Sequence, residues 1–241
     1  MNKHWLEALI IAIGLGVLGL FVMQGYGLVQ QGMTTFAAKD RVVTVKGLSE
    51  REVDANKVTW PLKYKEGGND LKELNDRMNH NNEILKTFLT KKGIPETDIS
   101  INPPEIDDNQ VDRCGNSTPP PFRYTITAGL TVTTDKVELV RSIINDQGQL
   151  LEQGIAVSAG SYENRVVYEF TRLNDIKPEM IEDATKNARL AADKFAQDSG
   201  SRLGKIMHAS QGQFSVEDRD DNTPYVKKVR VVSTIQYALE D

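Results

Sequence analysis

Three histidines, one cysteine and 34 acidic side chains are the groups this 241-residue sequence offers for chemistry. His4 stands beside an apolar run, His80 inside a helical pattern and His208 inside a strand pattern. None has a second histidine, a cysteine or a carboxylate at a spacing that metal ligation uses. The run Asn79-His80-Asn81-Asn82 reads as a solvated or subunit-facing side of its helix. The single cysteine, Cys114, excludes an internal disulfide and a cysteine-based zinc site. In its polar, Pro-rich loop an exposed thiol could pair between chains outside the cytoplasm. No G-x-S-x-G turn presents a serine nucleophile.

Carboxylates gather twice, as Asp107-Asp108 with Asp112 and as Glu217-Asp218 with Asp220-Asp221. Oxygen ligands of this kind suit a hard cation such as calcium, but neither group has the EF-hand spacing. Both read as solvated loops. Paired carboxylates for acid–base work can be drawn anywhere in so acidic a chain and decide nothing. Asn116-Ser117-Thr118 is a glycosylation sequon, relevant only in a host that modifies such sites. The expectation is a protein with no catalytic residue, no cofactor and no metal, and hence not an enzyme.

A formal net charge of -5 argues against nucleic acid as a partner. It leaves room for a local basic patch such as Lys227, Lys228 and Arg230, but that cluster falls in an alternating strand pattern and reads as a solvated edge. With 39% hydrophobic and 26% charged residues, the composition is that of a chain with a packed core.

The strongest single signal is N-terminal. From Leu6 to Val29 the sequence is LEALIIAIGLGVLGLFVMQGYGLV, and Ala8–Met23 contains no charged or strongly polar residue. As a helix the wider span reaches about 36 Å, enough to cross a hydrocarbon core of about 30 Å. Trp5 and Tyr26 flank it as interface aromatics. A cleaved signal peptide is the competing reading, since Lys3 supplies a small positive head. Retention is favoured because the run is longer than a signal-peptide core and Phe36 stands where cleavage wants a small residue. No cysteine lies near for a lipid anchor. The short N-terminal tail favours an N-in orientation, so the domain is expected in the periplasm or outside the cell, tethered to the inner (cytoplasmic) membrane by one pass.

Two patterns lie inside this run. Gly14-Leu15-Gly16-Val17-Leu18-Gly19 matches the dinucleotide fingerprint, which requires a preceding strand and a helix N-terminus; inside a membrane span it has neither. Ala8, Ala12 and Gly16 form a small-residue stripe on which two membrane helices could pair.

Residues 1–30 thus read as the anchor, 31–40 as a linker and 41–241 as one folded domain. Arg41–Lys46 and Val53–Lys65 read as strands, with Pro61 marking an edge or a bulge. Asn69 is the expected N-cap of a helix to about Lys92, with Leu71, Leu74, Met78, Leu85 and Phe88 or Leu89 on its apolar face. Asp98–Ile106 reads as a strand broken by Pro103-Pro104, and Phe122–Thr134 as a clear one. Val137, Val140, Ile143 and Ile144 mark a second helix that Gly148 weakens towards Gln153. After a strand over Tyr162–Thr171, a third helix has Pro178 in its first turn and a stripe of Ile181, Ala184, Ala188, Ala191, Ala192 and Phe195. Lys205–Phe214 and Tyr225–Leu239 close the domain as strands. The expected class is α+β, an antiparallel or mixed sheet with about three helices packed on it, preceded by a single transmembrane helix.

The order of these segments carries a resemblance. A first strand ends in Val45-Lys46-Gly47, and the long helix closes on Lys92-Gly93-Ile94 before Asp98-Ile99-Ser100. An aromatic-led strand follows at Phe122–Thr133, and then the Ala-rich helix Ala184–Ala196. That helix runs into Asp198-Ser199-Gly200-Ser201-Arg202-Leu203-Gly204-Lys205-Ile206, and a Val-rich strand ends the chain. From about Val42 onward the sequence resembles the SIMPL-domain family of bacterial envelope proteins, a domain of unknown function. The resemblance implies a periplasmic or surface-exposed homo-oligomer with a stress-protective role and no agreed catalytic site. The sequence departs from many relatives in keeping an anchor, and in the Pro-rich insertion Asn116–Pro121. The leading expectation is a non-enzymatic, self-associating envelope protein. The alternative is an extracytoplasmic module that binds a small molecule, peptide or cation in a groove beside the acidic loops.

Overall fold

The computed structural model describes residues 41–110, 121–158 and 164–240. The anchor, the linker, the Ala8, Ala12 and Gly16 stripe, His4, Asp112, Cys114 and the Asn116 sequon lie outside the described residues. The strands are β1 (Val42–Asp54), β2 (Lys57–Gly68), β3 (Ile99–Ile101), β4 (Glu105–Asp108), β5 (Tyr124–Thr134), β6 (Val167–Glu169), β7 (Arg202–Gln211), β8 (Ser215–Asp218) and β9 (Val226–Glu240). The helices are α1 (Leu71–Lys91), α2 (Val137–Asn145), α3 (Gly148–Glu152) and α4 (Leu173–Asp198), with a 3-10 turn at Glu96–Asp98. The α+β class holds, but the strands form two antiparallel sheets rather than one. Alternation shows that a segment is a strand, not which long strand it will join. Here β9 carries β1, β7 and β8, while β5 carries β2, β3 and β4, and β2 carries β6.

The chain divides into two compact units. The larger comprises residues 50–178 and 214–230. Its core is one face of the β2–β5 ladder, where Trp60, Leu62 and Tyr64 stand opposite Val132, Leu130 and Ala128. α1 covers that face with Leu74, Met78, Leu85, Phe88 and Leu89, and α2 with Val137, Val140 and Ile143. The side chain of Asp70, not Asn69, caps α1, accepting from the N–H groups of Lys72 (2.8 Å) and Glu73 (3.1 Å). Asn69 accepts instead from the Arg123 N–H at 2.9 Å. Gly93, at φ 99°, ends the helix region in the left-handed conformation that glycine adopts freely.

Pro61 sits opposite Thr131 on β5. On its other side the β6 ladder ends at Thr59 and pairing resumes at the Tyr64–Val157 bridge, so the missing N–H falls in a gap. The interrupted strand at 98–106 resolves into β3 and β4, both on β5. Gly148 likewise splits the second helix into α2 and α3.

The polar run on α1 is structural in part. Asn82 is buried and its Oδ1 accepts from the Tyr64 hydroxyl at 3.0 Å, which also reaches the Met78 carbonyl at 2.9 Å. Asn81 Nδ2 donates to Glu66 at 3.0 Å. Burial, with the Glu66 charge behind it, pushes the Tyr64 hydroxyl up to about 12. Tyr64→Phe should cost about 1–3 kcal/mol by stranding these acceptors, and adding Asn82→Leu should recover much of it. Urea unfolding of both variants checks this; a double variant no better than the single one would contradict it.

The smaller unit takes, of the described residues, 41–49, 179–213 and 231–240. Its core joins Val45 of β1 and Ile235 and Tyr237 of β9 to Ala188 and Ala192 of α4. The buried stripe of α4 is Met180, Ala184, Ala188, Ala192 and Ala196. Phe195, expected on that face, is 60% exposed, and Ile181 is only half-buried. The strict four-residue spacing, rather than side-chain size, decided which face turned inward. α4 also begins before the expected first turn, so Pro178 lies inside it and leaves the Asn174 carbonyl without its helical donor. Among the described residues no helix is long and apolar enough to cross a membrane.

Candidate functional site

The polar side of α2 forms one wall of a wide groove in the larger unit. Val137, Val140 and Ile143 point into the core, which leaves Glu138, Arg141, Ser142 and Asn145 on the opposite face at i, i+3, i+4 and i+7. The opposite wall comes from β6 and the segment before it, with Arg165, Val166 and Tyr168. A turn at 220–223 and the residues after it close the end with Asp221, Asn222, Pro224 and Tyr225. The groove holds about 800 Å³, within the range of small-molecule sites.

Its centre is aromatic and guanidinium. Arg141 lies 3.4 Å above the Tyr225 ring centroid, and Tyr225 meets Tyr168 edge to face at 6.2 Å and 74°. Nη1 of Arg141 donates to both carboxylate oxygens of Glu138, at 2.6 and 2.8 Å. Tyr168 is held by the β2–β6 ladder opposite Val58 and is 8% exposed. Burial raises its hydroxyl above the ordinary value; the Arg141 cation opposes this, and Glu138 and Tyr225 add to it. The phenol is therefore a neutral hydrogen-bond donor through the physiological range.

The turn at 220–223 is locked by its own aspartate. Asp220 Oδ1 accepts from the N–H groups of Asn222 (2.9 Å) and Thr223 (2.8 Å), and Oδ2 takes the Thr223 hydroxyl and Arg219 Nε. The Thr223 hydroxyl first, then Arg219 and the two backbone donors, hold the carboxyl down at about 2 against an ordinary 3.8. A depressed carboxyl contributes fully above its unfolded value and loses that contribution as pH falls through the folded one. The turn should therefore open between about pH 4 and pH 2, and NMR titration should place Asp220 near 2; a midpoint near 3.8 would contradict the lock.

Within the acidic groups singled out in the sequence, Asp108, Asp218 and Asp220 are engaged with cations of the chain itself. Asp108 receives Arg123 through Nε at 3.2 Å and Nη2 at 3.1 Å. Asp218 receives Arg165 at 3.0 Å and also Lys227. Among the described residues no three His, Cys, Asp or Glu side chains converge as metal ligands would. The basic cluster is not a solvated edge. β9 is an interior strand, Lys227 is 7% exposed against Asp218 in the facing β8 register, and Lys228 and Arg230 reach Glu50 at 3.3 and 3.2 Å. His80 is exposed on α1 beside Glu83, at the mouth of a second hollow of about 350 Å³, and His208 is exposed on β7.

The groove residues come from three stretches far apart in the chain, and no local motif joins them. The partial signals were the polar face of α2 and the acid-rich turn that borders the groove.

A family model covers this architecture almost end to end. Residues 43–236 match SIMPL, described as a protein of unknown function (DUF541). The chain belongs to the SIMPL family. The match bears out the resemblance carried by the segment order, and it contains α1 to α4, every groove residue of this SIMPL domain and all of its strands but the first residue of β1 and the last four of β9. No curated protein matches the chain.

Proposed function

We propose that this SIMPL protein is a non-enzymatic envelope protein that self-associates, held at the inner membrane by its apolar N-terminal run with the domain on the periplasmic or outer side. The stress-protective role suggested by the family fits such an object. The observation that carries self-association is the smaller unit's surface. Leu190 and Phe195 on α4 and Ile206 and Met207 on β7 are each half or more exposed. β7 also pairs only with β9 among the described strands, so its outer edge keeps unpaired backbone groups. Bulges around Ile206 bend the first half of that edge, leaving His208–Gln211 as its regular stretch. A second copy is the partner that supplies a matching edge. Light scattering on the detergent-solubilised full chain should show Met207→Asp falling towards the mass of one protomer; an unchanged mass would remove β7 from the interface. Nucleic acid is not a proposed partner: the formal net charge is -5, and Lys227, Lys228 and Arg230 are ion-paired within the chain.

A second reading rests on the groove beside the 220–223 turn, whose size, aromatic walls and convergent polar groups suit a binding module. A thermal-shift screen with calcium and cell-wall fragments separates it from pure assembly. At least one ligand should stabilise the protein, and uniformly flat responses would sink the reading.

A further inference from the structure

We propose that this groove accepts a ligand bearing a single carboxylate, gripped side-on by Nε and Nη2 of Arg141 and by the hydroxyl of Tyr168. The inference deepens the binding-module reading and rests on it.

A guanidinium presents two usable edges to a carboxylate, and Arg141 has committed one of them. Its Nη1 is held by Glu138, while Nε and Nη2 have no partner among the described residues. The group cannot swing freely, because Tyr225 lies 3.4 Å beneath it and Glu138 holds one end. A fork fixed before binding loses little rotamer entropy when a ligand arrives. The Arg141 side chain is 32% exposed, so the free edge is open to solvent and stays hydrated until a ligand displaces that water. The Tyr168 hydroxyl likewise has no partner among the described residues, although its ring is buried. The hydroxyl is not among the buried unpartnered atoms, so it meets solvent at the wall of the groove, where a ligand's acceptor can take the place of water.

Charge narrows the ligand further. Arg141 and Arg165 are balanced by Glu138 and Asp221 on the same walls, and Arg165 is already engaged by Asp218. A ligand with one negative charge gains the free guanidinium edge. A polyanion, or a phosphate dianion, also meets Glu138 and Asp221 and gains less. The remaining walls, Val166, Ile144, Pro224 and the two tyrosine rings, suit an uncharged body behind the carboxylate. A peptide C-terminus and a free organic acid share this chemistry, and the experiment distinguishes them.

Isothermal titration calorimetry on the full chain in detergent micelles compares tetra-alanine with a free carboxyl terminus, its C-terminal amide, acetate and inorganic phosphate. The free acid should bind about tenfold or more tighter than the amide, the loss expected when a charged acceptor is removed from positioned donors. Arg141→Lys, which keeps the charge and removes the fork, should weaken the acid by about tenfold and leave the amide unchanged. Tyr168→Phe should weaken the acid by about threefold to tenfold. Acetate binding as tightly as the peptide would assign the site to small organic acids and still support a carboxylate ligand. Equal affinity for acid and amide, tighter binding of phosphate, or no saturable binding of acid or acetate would each overturn the inference. The acid–amide comparison needs no variant, so a misfolded mutant cannot hide the answer. Equal binding of acid and amide, weakened alike by Tyr168→Phe, would keep the groove as a binding site while removing its carboxylate preference.

Discussion

Gly47→Ala should lower the stability of the chain by about 3 kcal/mol or more, at the upper end of what overpacking costs. A Cβ built on Gly47 lies 1.9 Å from the Ala184 carbonyl oxygen, 2.5 Å from the Ala188 N–H nitrogen and 2.8 Å from the Ala188 Cβ. The first two are backbone atoms of α4, so no side-chain rotation relieves the clash. The whole helix would have to rise off β1 by more than an ångström. It sits so close because its inward stripe is alanine at every fourth residue, and Ala184, Ala188 and Ala192 are fully buried. Lifting it would open that row and the contacts of Val45, Ile235 and Tyr237 together. The thermal midpoint of the full chain in micelles should fall by about 6–12 °C. A midpoint within a degree of the parent would show that α4 does not lie on Gly47.

Trp60→Ala should cost about 3–5 kcal/mol, the range for deleting a large aromatic from a packed core. Trp60 is 2% exposed, faces Val132 across the β2–β5 ladder, and stands between Val58 and Leu62 on the same face, both fully buried. A cavity here reaches beyond stability. Val58 is the register partner of Tyr168, so a loosened β2 also loosens one wall of the groove. Urea unfolding measures the first effect, and a loss below about 1 kcal/mol would contradict the core described for this unit. Trp60→Phe, which keeps most of the buried ring, should lose distinctly less.

The elements that were plain in the sequence are those whose signal is local. β5 appears as thirteen alternating residues and is found at Tyr124–Thr134, and glycine stops close α1 and α4 where Gly93 and Gly200 take positive φ. The family was legible for the same reason, since the order and spacing of such segments survive without any single motif. The sheet count was not legible, because pairing partners are chosen by distant strands. The run at 79–82 looked solvated until β2 supplied Tyr64 as the partner of Asn82. Lys227 looked exposed until β8 placed Asp218 opposite it. In α4 the large side chains suggested one face and close packing chose another, because its small alanines let the helix approach Gly47 on the strand beneath.

The groove was illegible for a related reason. Arg141, Tyr168 and Tyr225 are ordinary residues in the sequence and gain meaning only when α2, β6 and the 220–223 turn bring them within 3.4 and 6.2 Å of one another. The acidic segment at 217–221 does border it, but as structure: Asp218 holds Arg165, and Asp220 shapes the turn that carries Tyr225 to its place.

Sedimentation velocity of the whole chain in density-matched micelles reads self-association without any added ligand. A species larger than one protomer is expected at micromolar concentration, persisting on dilution and reduced by Met207→Asp. A single sedimenting protomer across that range would contradict it.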